Sequence, residues 1–156
     1  MSTTMGGLEI IVDSGTKAAD RLHLCPKPNN SVTVIVTSMN PSIKALERAA
    51  ELAKPSSARI NVITVEVVPF PLPLDEPPVP AGFTARRFEE IAGKLPARAH
   101  VLTYLCRNPW DALNRILDRN CPVVIGVRKR WWPTRESRLA GRLRRAGYDV
   151  ISINQE

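Results

Sequence analysis

The chain has 156 residues, 44% of them hydrophobic and 24% charged, with three cysteines and a formal net charge of +7. That is enough for one compact domain and too little for two, and it is not the composition of a disordered chain. No run of about 18 uncharged apolar residues occurs, which excludes a membrane-spanning helix. Cys25, Cys106 and Cys121 form no CxxC pair and only His23 and His100 accompany them, so neither a disulfide framework nor a metal cluster is expected.

Residues 1–30 are read as an N-terminal extension, with "LEIIVD" (8–13) as its one candidate strand. The letters Gly15, Thr16 and Lys17 lack the order of a phosphate loop. The opening residues have no basic segment followed by an apolar one, so no secretory leader is read and a cytoplasmic location is expected. Residues 31–156 form the second unit, a single α/β domain.

Within that domain "VTVIVT" (32–37) is a β-branched strand. Asn40-Pro41 then suits a helix start, and Ile43, Leu46, Ala50 and Ala53 fall on one helical face. "INVITVEVV" (60–68) is the second strand. Six of the fourteen prolines follow within residues 69–83, which predicts a stiff, extended crossover that covers the sheet edge or packs Phe70 and Leu72 on a neighbour, with a recognition loop or dimer contact as the alternative. Asp75 and Glu76 in this loop are read as surface carboxylates.

A helix with Phe88, Ile91, Ala92 and Leu95 inward comes next, then the strand "AHVLTYL" (99–105), to which Cys106 is adjacent. Asn108-Pro109 repeats the cap chemistry before a helix carrying Leu113, Ile116 and Leu117. "PVVIGV" (122–127), a helix with Leu139, Leu143 and Ala146, and "DVISI" (149–153) complete the pattern. Cys106 and Cys121 are read as small core residues. Five strands alternating with four helices predict a doubly wound, mainly parallel sheet with helices on both faces.

Most of the charge asymmetry sits in one segment. Residues 128–145 hold eight of the 22 Lys and Arg against one acid, Glu136. Thr134 is a fitting N-cap, and a helix N-terminus beside Arg128, Lys129 and Arg130 is chemically suited to an anion. Arg138, Arg142 and Arg145 form a basic stripe, read as a solvated face or, alternatively, as a surface for nucleic acid or an acidic protein. Trp131 and Trp132 are expected to pack inward or at a subunit contact, with stacking on a planar ligand as the alternative. No catalytic constellation competes, so catalysis is not expected beyond, at most, slow ATP hydrolysis.

From Ser31 to Ile153 the chain resembles the universal stress protein family. The resemblance rests on the order of elements, on "NPSIKALERAAELA" after the first strand, on "INVITVEVV" before a long loop, and on Gly126 preceding an anion-suited loop. It implies strand order 3-2-1-4-5, a homodimer formed through the C-terminal strand, and a role in stress response. In one branch of the family it also implies ATP between the first and fourth strands, bound by G-x-x-G-x9-G-[ST]. Gly126 matches the first glycine. Lys129 stands in place of the second, Glu136-Ser137 in place of the glycine-hydroxyl pair, and Thr37 where ATP-binding members have an aspartate. The anion-binding candidates are therefore Thr37, Gly126, Arg128, Lys129, Arg130, Thr134 and Ser137. ATP is the cofactor the resemblance points to, no metal or membrane partner is expected, and a member with an altered ligand or none is the other reading.

Overall fold

The computed structural model describes residues 2–5, 8–12, 31–78 and 83–155. Among the described residues seven strands form one sheet: β1 (Ser2–Met5), β2 (Leu8–Val12), β3 (Ser31–Val36), β4 (Arg59–Val67), β5 (Ala99–Cys106), β6 (Val123–Arg128) and β7 (Val150–Gln155). The helices are α1 (Met39–Ala53), α2 (Phe83–Ala92), α3 (Pro109–Ile116) and α4 (Arg135–Arg145).

From Ser31 onward the strand order is β5-β4-β3-β6-β7, all parallel, which is the predicted 3-2-1-4-5 arrangement. Val34 at the centre pairs with Val62 of β4 and Val124 of β6. The candidate strand at 8–13 forms as β2 and runs parallel to β5, with Leu8 opposite Val101 and Val12 opposite Leu105. An additional strand, β1, lies antiparallel to β2 and enlarges the sheet to seven.

The β-branched strands are apolar on both faces because both are covered. On one face Val34, Ile60, Val62, Val101 and Val124 pack with Leu46 and Ala49 of α1 and Phe88 of α2. On the other, Ile35, Ile63, Leu102, Tyr104 and Ile125 pack with Leu113 and Ile116 of α3 and Leu143 of α4. Cys106 is buried and is not part of a disulfide. Cys121 is buried in the core as read, but it is disulfide-bonded, and the expectation that the cysteines form no disulfide is corrected.

The two Asn-Pro pairs behave differently. Asn108 is the N-cap of α3, and its side chain accepts from the Trp110 and Asp111 backbone N–H groups. At α1 the N-cap is Ser38, not Asn40, so the helix starts earlier than the dipeptide suggested. Pro41 still falls within the first turn, where N–H groups have no intrahelical partner. At the far end of α4, Gly147 takes φ +92, and the bonds Gly147 N–H to Arg144 O and Tyr148 N–H to Leu143 O close the helix in a left-handed cap.

Arg107 ties down the start of the proline-rich crossover. Arg107 donates to Val68 O and Leu72 O, each at 2.7 Å, and its guanidinium lies 4.1 Å from the centre of the Phe70 ring. Asp75 and Glu76 are exposed, as read from the sequence.

Candidate functional site at the carboxyl ends of β3 and β6

The helices that follow the neighbouring strands β3 and β6 pack on opposite faces of the sheet, α1 on one and α4 on the other, and sheets of this kind have their ligand crevice beyond the carboxyl ends of two such strands. The β3–α1 turn and the β6–α4 loop form its two sides.

Gly126 lies at its base. A Cβ at this position would stand 1.9 Å from Pro41 O and 2.1 Å from Pro41 C. The glycine therefore lets the first turn of α1 rest against β6, and the close approach it permits is between two parts of the chain. Thr37 is exposed, and its backbone N–H donates to the buried Ser42 Oγ at 3.1 Å.

Thr134 caps α4 as its residue type suggested. Its side chain accepts from Ser137 N–H at 3.2 Å, and Ser137 Oγ donates to Thr134 O at 2.9 Å. The Ser137 hydroxyl is thus engaged with its own cap. Arg128, Lys129 and Arg130 are exposed along the loop.

Across the crevice, Ser38 Oγ donates to Glu136 Oε1 at 2.9 Å. Burial alone would raise the Glu136 carboxyl pKa. Hydrogen bonds from its own backbone N–H, Ser38 and the Thr134 side chain, together with the charge of Arg128, outweigh that effect and hold it below the ordinary value. A negative side chain in the first turn of a helix is itself favourable. The segment's single acid is therefore an internal anion, bound by the elements that were read as an anion site. The sequence reading passed over Ser38 and Glu136 as functional residues. The usable signal was one carboxylate among eight cations, two residues after a helix cap.

The basic stripe is not uniform. Arg138, Arg142 and Arg145 are all exposed, and the Arg142 guanidinium also sits 4.0 Å from the Trp110 ring centre. Arg144, outside the stripe, donates to Val150 O at 3.3 Å and Ser152 Oγ at 2.7 Å, tying α4 to β7. Trp131 and Trp132 do not pack inward: their relative exposures are 102% and 82%. Among the described residues no group of three or more His, Cys, Asp or Glu could hold a metal ion, and no helix is long and apolar enough to cross a membrane.

No family model matches the chain, and no curated protein does. Solved structures do. A universal stress protein from Archaeoglobus fulgidus superposes with a TM-score of 0.62 at 20% identity, over 85% of this chain and 98% of that one. A universal stress protein in complex with cAMP superposes with a TM-score of 0.56 at 16% identity, over 83% of this chain and 100% of that one. Over most of its length, then, the chain has the doubly wound α/β fold of universal stress proteins, at low sequence identity.

Proposed function

We propose that the protein is a non-catalytic regulatory or binding domain of the universal stress protein type, acting in stress response, whose β3–β6 crevice takes an anionic ligand in competition with its own Glu136. One observation carries the reading: a carboxylate already occupies the crevice, bound by the Ser38 hydroxyl and the first turn of α4 beside Arg128. A cradle that lowers the pKa of a carboxyl stabilises negative charge, and a phosphate presents the same charge with more acceptor oxygens. The cAMP complex of a protein with this fold makes cAMP the first ligand to test. ATP is the other, with Arg128, Lys129 and Arg130 supplying cations where a glycine loop would supply backbone N–H groups.

On this reading the protein is a cytoplasmic homodimer formed through β7. The nucleic-acid alternative through α4 has less support, because Arg142 of the stripe is engaged with Trp110.

The experiment is calorimetric titration of wild type and Glu136→Gln with ATP and with cAMP. Gln keeps the shape but not the charge, so the variant should bind at least one nucleotide roughly tenfold more tightly, as expected when a like charge a few ångströms from a phosphate is removed. Equal affinity in the two proteins, or no binding by either, overturns the proposal.

A further inference from the structure

Among the described residues the exposed large hydrophobic side chains are Met39, Val67, Phe70, Phe83, Trp131 and Trp132. All six lie at one end of the molecule. Val67 ends β4, Phe70 lies in the loop after it, and Met39 and Phe83 begin the helices that follow β3 and β4. The two tryptophans lie in the loop after β6. The turns at the amino ends of the parallel strands carry none of them. An apolar set gathered at one end is the pattern of a contact surface, whereas scattered single residues are not.

The β6–α4 loop is the most pronounced part of this end. Arg128, Lys129, Arg130 and Arg135 are exposed on either side of the tryptophan pair, and the nearby carboxylate, Glu136, is turned onto Ser38. Cations flanking protruding indoles match a partner that is anionic and has an apolar layer just beneath its charged surface.

We propose that the β6–α4 loop docks peripherally on an anionic lipid surface, with Trp131 and Trp132 entering the headgroup layer and Arg128, Lys129, Arg130 and Arg135 meeting the lipid phosphates, while the exposed Asp75 and Glu76 of the β4–α2 loop stay clear of it. Indole suits that layer because its ring is apolar and its N–H keeps a polar partner. Each basic residue near an anionic leaflet adds attraction, and a single interfacial element binds reversibly. The same side chains suit single-stranded nucleic acid less well. Base-stacking proteins combine their aromatic rings with a groove that tracks the strand, whereas Trp131 is as open as in an extended chain and stands clear of the protein surface. Among the described residues no helix is long and apolar enough to span a membrane, and this mode needs none. The proposal shares Arg128, Lys129 and Arg130 with the crevice reading, but it is tested without nucleotide, so the two fail separately.

The test is co-sedimentation of the full chain with vesicles of phosphatidylcholine alone and of phosphatidylcholine with phosphatidylserine, with tryptophan emission recorded in parallel. The expected result is pelleting with the anionic vesicles alone, a blue-shifted emission, and weakening as salt rises. The double variant Trp131→Ala/Trp132→Ala should lose the pelleting while keeping the wild-type melting temperature, since both side chains are exposed. Changing Arg128, Lys129 or Arg130 to Gln should weaken partitioning roughly fivefold per charge. No pelleting with anionic vesicles at low salt overturns the proposal. So does equal pelleting of wild type and the double variant. Binding of a single-stranded oligonucleotide that depends on both tryptophans, without vesicle binding, would assign the loop to nucleic acid, and self-association through it would assign the loop to a second copy of the chain.

Discussion

Two residues do work in this structure that their position in a motif would not indicate. Gly126 falls where a nucleotide-binding glycine would, yet the nearest atoms to a Cβ there belong to the Pro41 backbone, which cannot move aside as a flexible side chain can. Gly126→Ala should therefore lower stability by about 3 kcal/mol, toward the upper end of overpacking costs, read as a lower urea midpoint, with or without a ligand. A midpoint equal to wild type would show that α1 does not rest on β6. Glu136 leads to a pH prediction. Its carboxyl is held below the ordinary value, so folding favours the charged form. That contribution is complete above the unfolded value of about 4.3 and is lost as pH falls through the folded one. Glu136→Gln should show a flatter loss of stability over that acidic range, and a profile parallel to wild type would contradict it. Neither role was legible beforehand. The Ser38–Glu136 bond joins residues 98 apart in sequence, and the Gly126–Pro41 contact depends on how a helix settles on a strand. Residue spacing within one element carries no record of either.

At the scale of elements the sequence was informative where the physics is local. The β-branched runs became β3 through β7 with ends shifted by one or two residues, and the three- and four-residue spacing of Leu46, Ala50 and Ala53 gave the buried face of α1. The N-terminal hairpin was only half legible, since β2 had an apolar run to mark it and β1, "STTM", did not. Caps lie between these cases. The same dipeptide starts α3 as expected but falls inside α1, because at α1 the chain turns at Ser38, whose side chain is bonded across the crevice. A paired substitution separates the two positions. Asn108→Ala should cost about 1 kcal/mol through loss of its bonds to Trp110 and Asp111, while Asn40→Ala should stay within roughly 0.5 kcal/mol of wild type. Equal losses in urea denaturation would contradict these cap assignments.

For the whole molecule, the doubly wound order follows from right-handed crossovers and places the β3 and β6 loops side by side. It also leaves β7 with a strand neighbour on one side only. Edges of that kind are covered or paired in most proteins, and light scattering should give the mass of a dimer, with a monomer at working concentration counting against pairing through β7. In the proposed crevice the chain's own Glu136 carboxylate holds the place that a ligand's negative charge would take. Carbon NMR titration of the Glu136 carboxyl, alone and with ATP or cAMP, reads that exchange at the group itself. The expected result is a pKa below the ordinary glutamate value in the free protein, moving upward when a bound phosphate takes over the Ser38 and helix contacts. An ordinary value that neither nucleotide changes would contradict it.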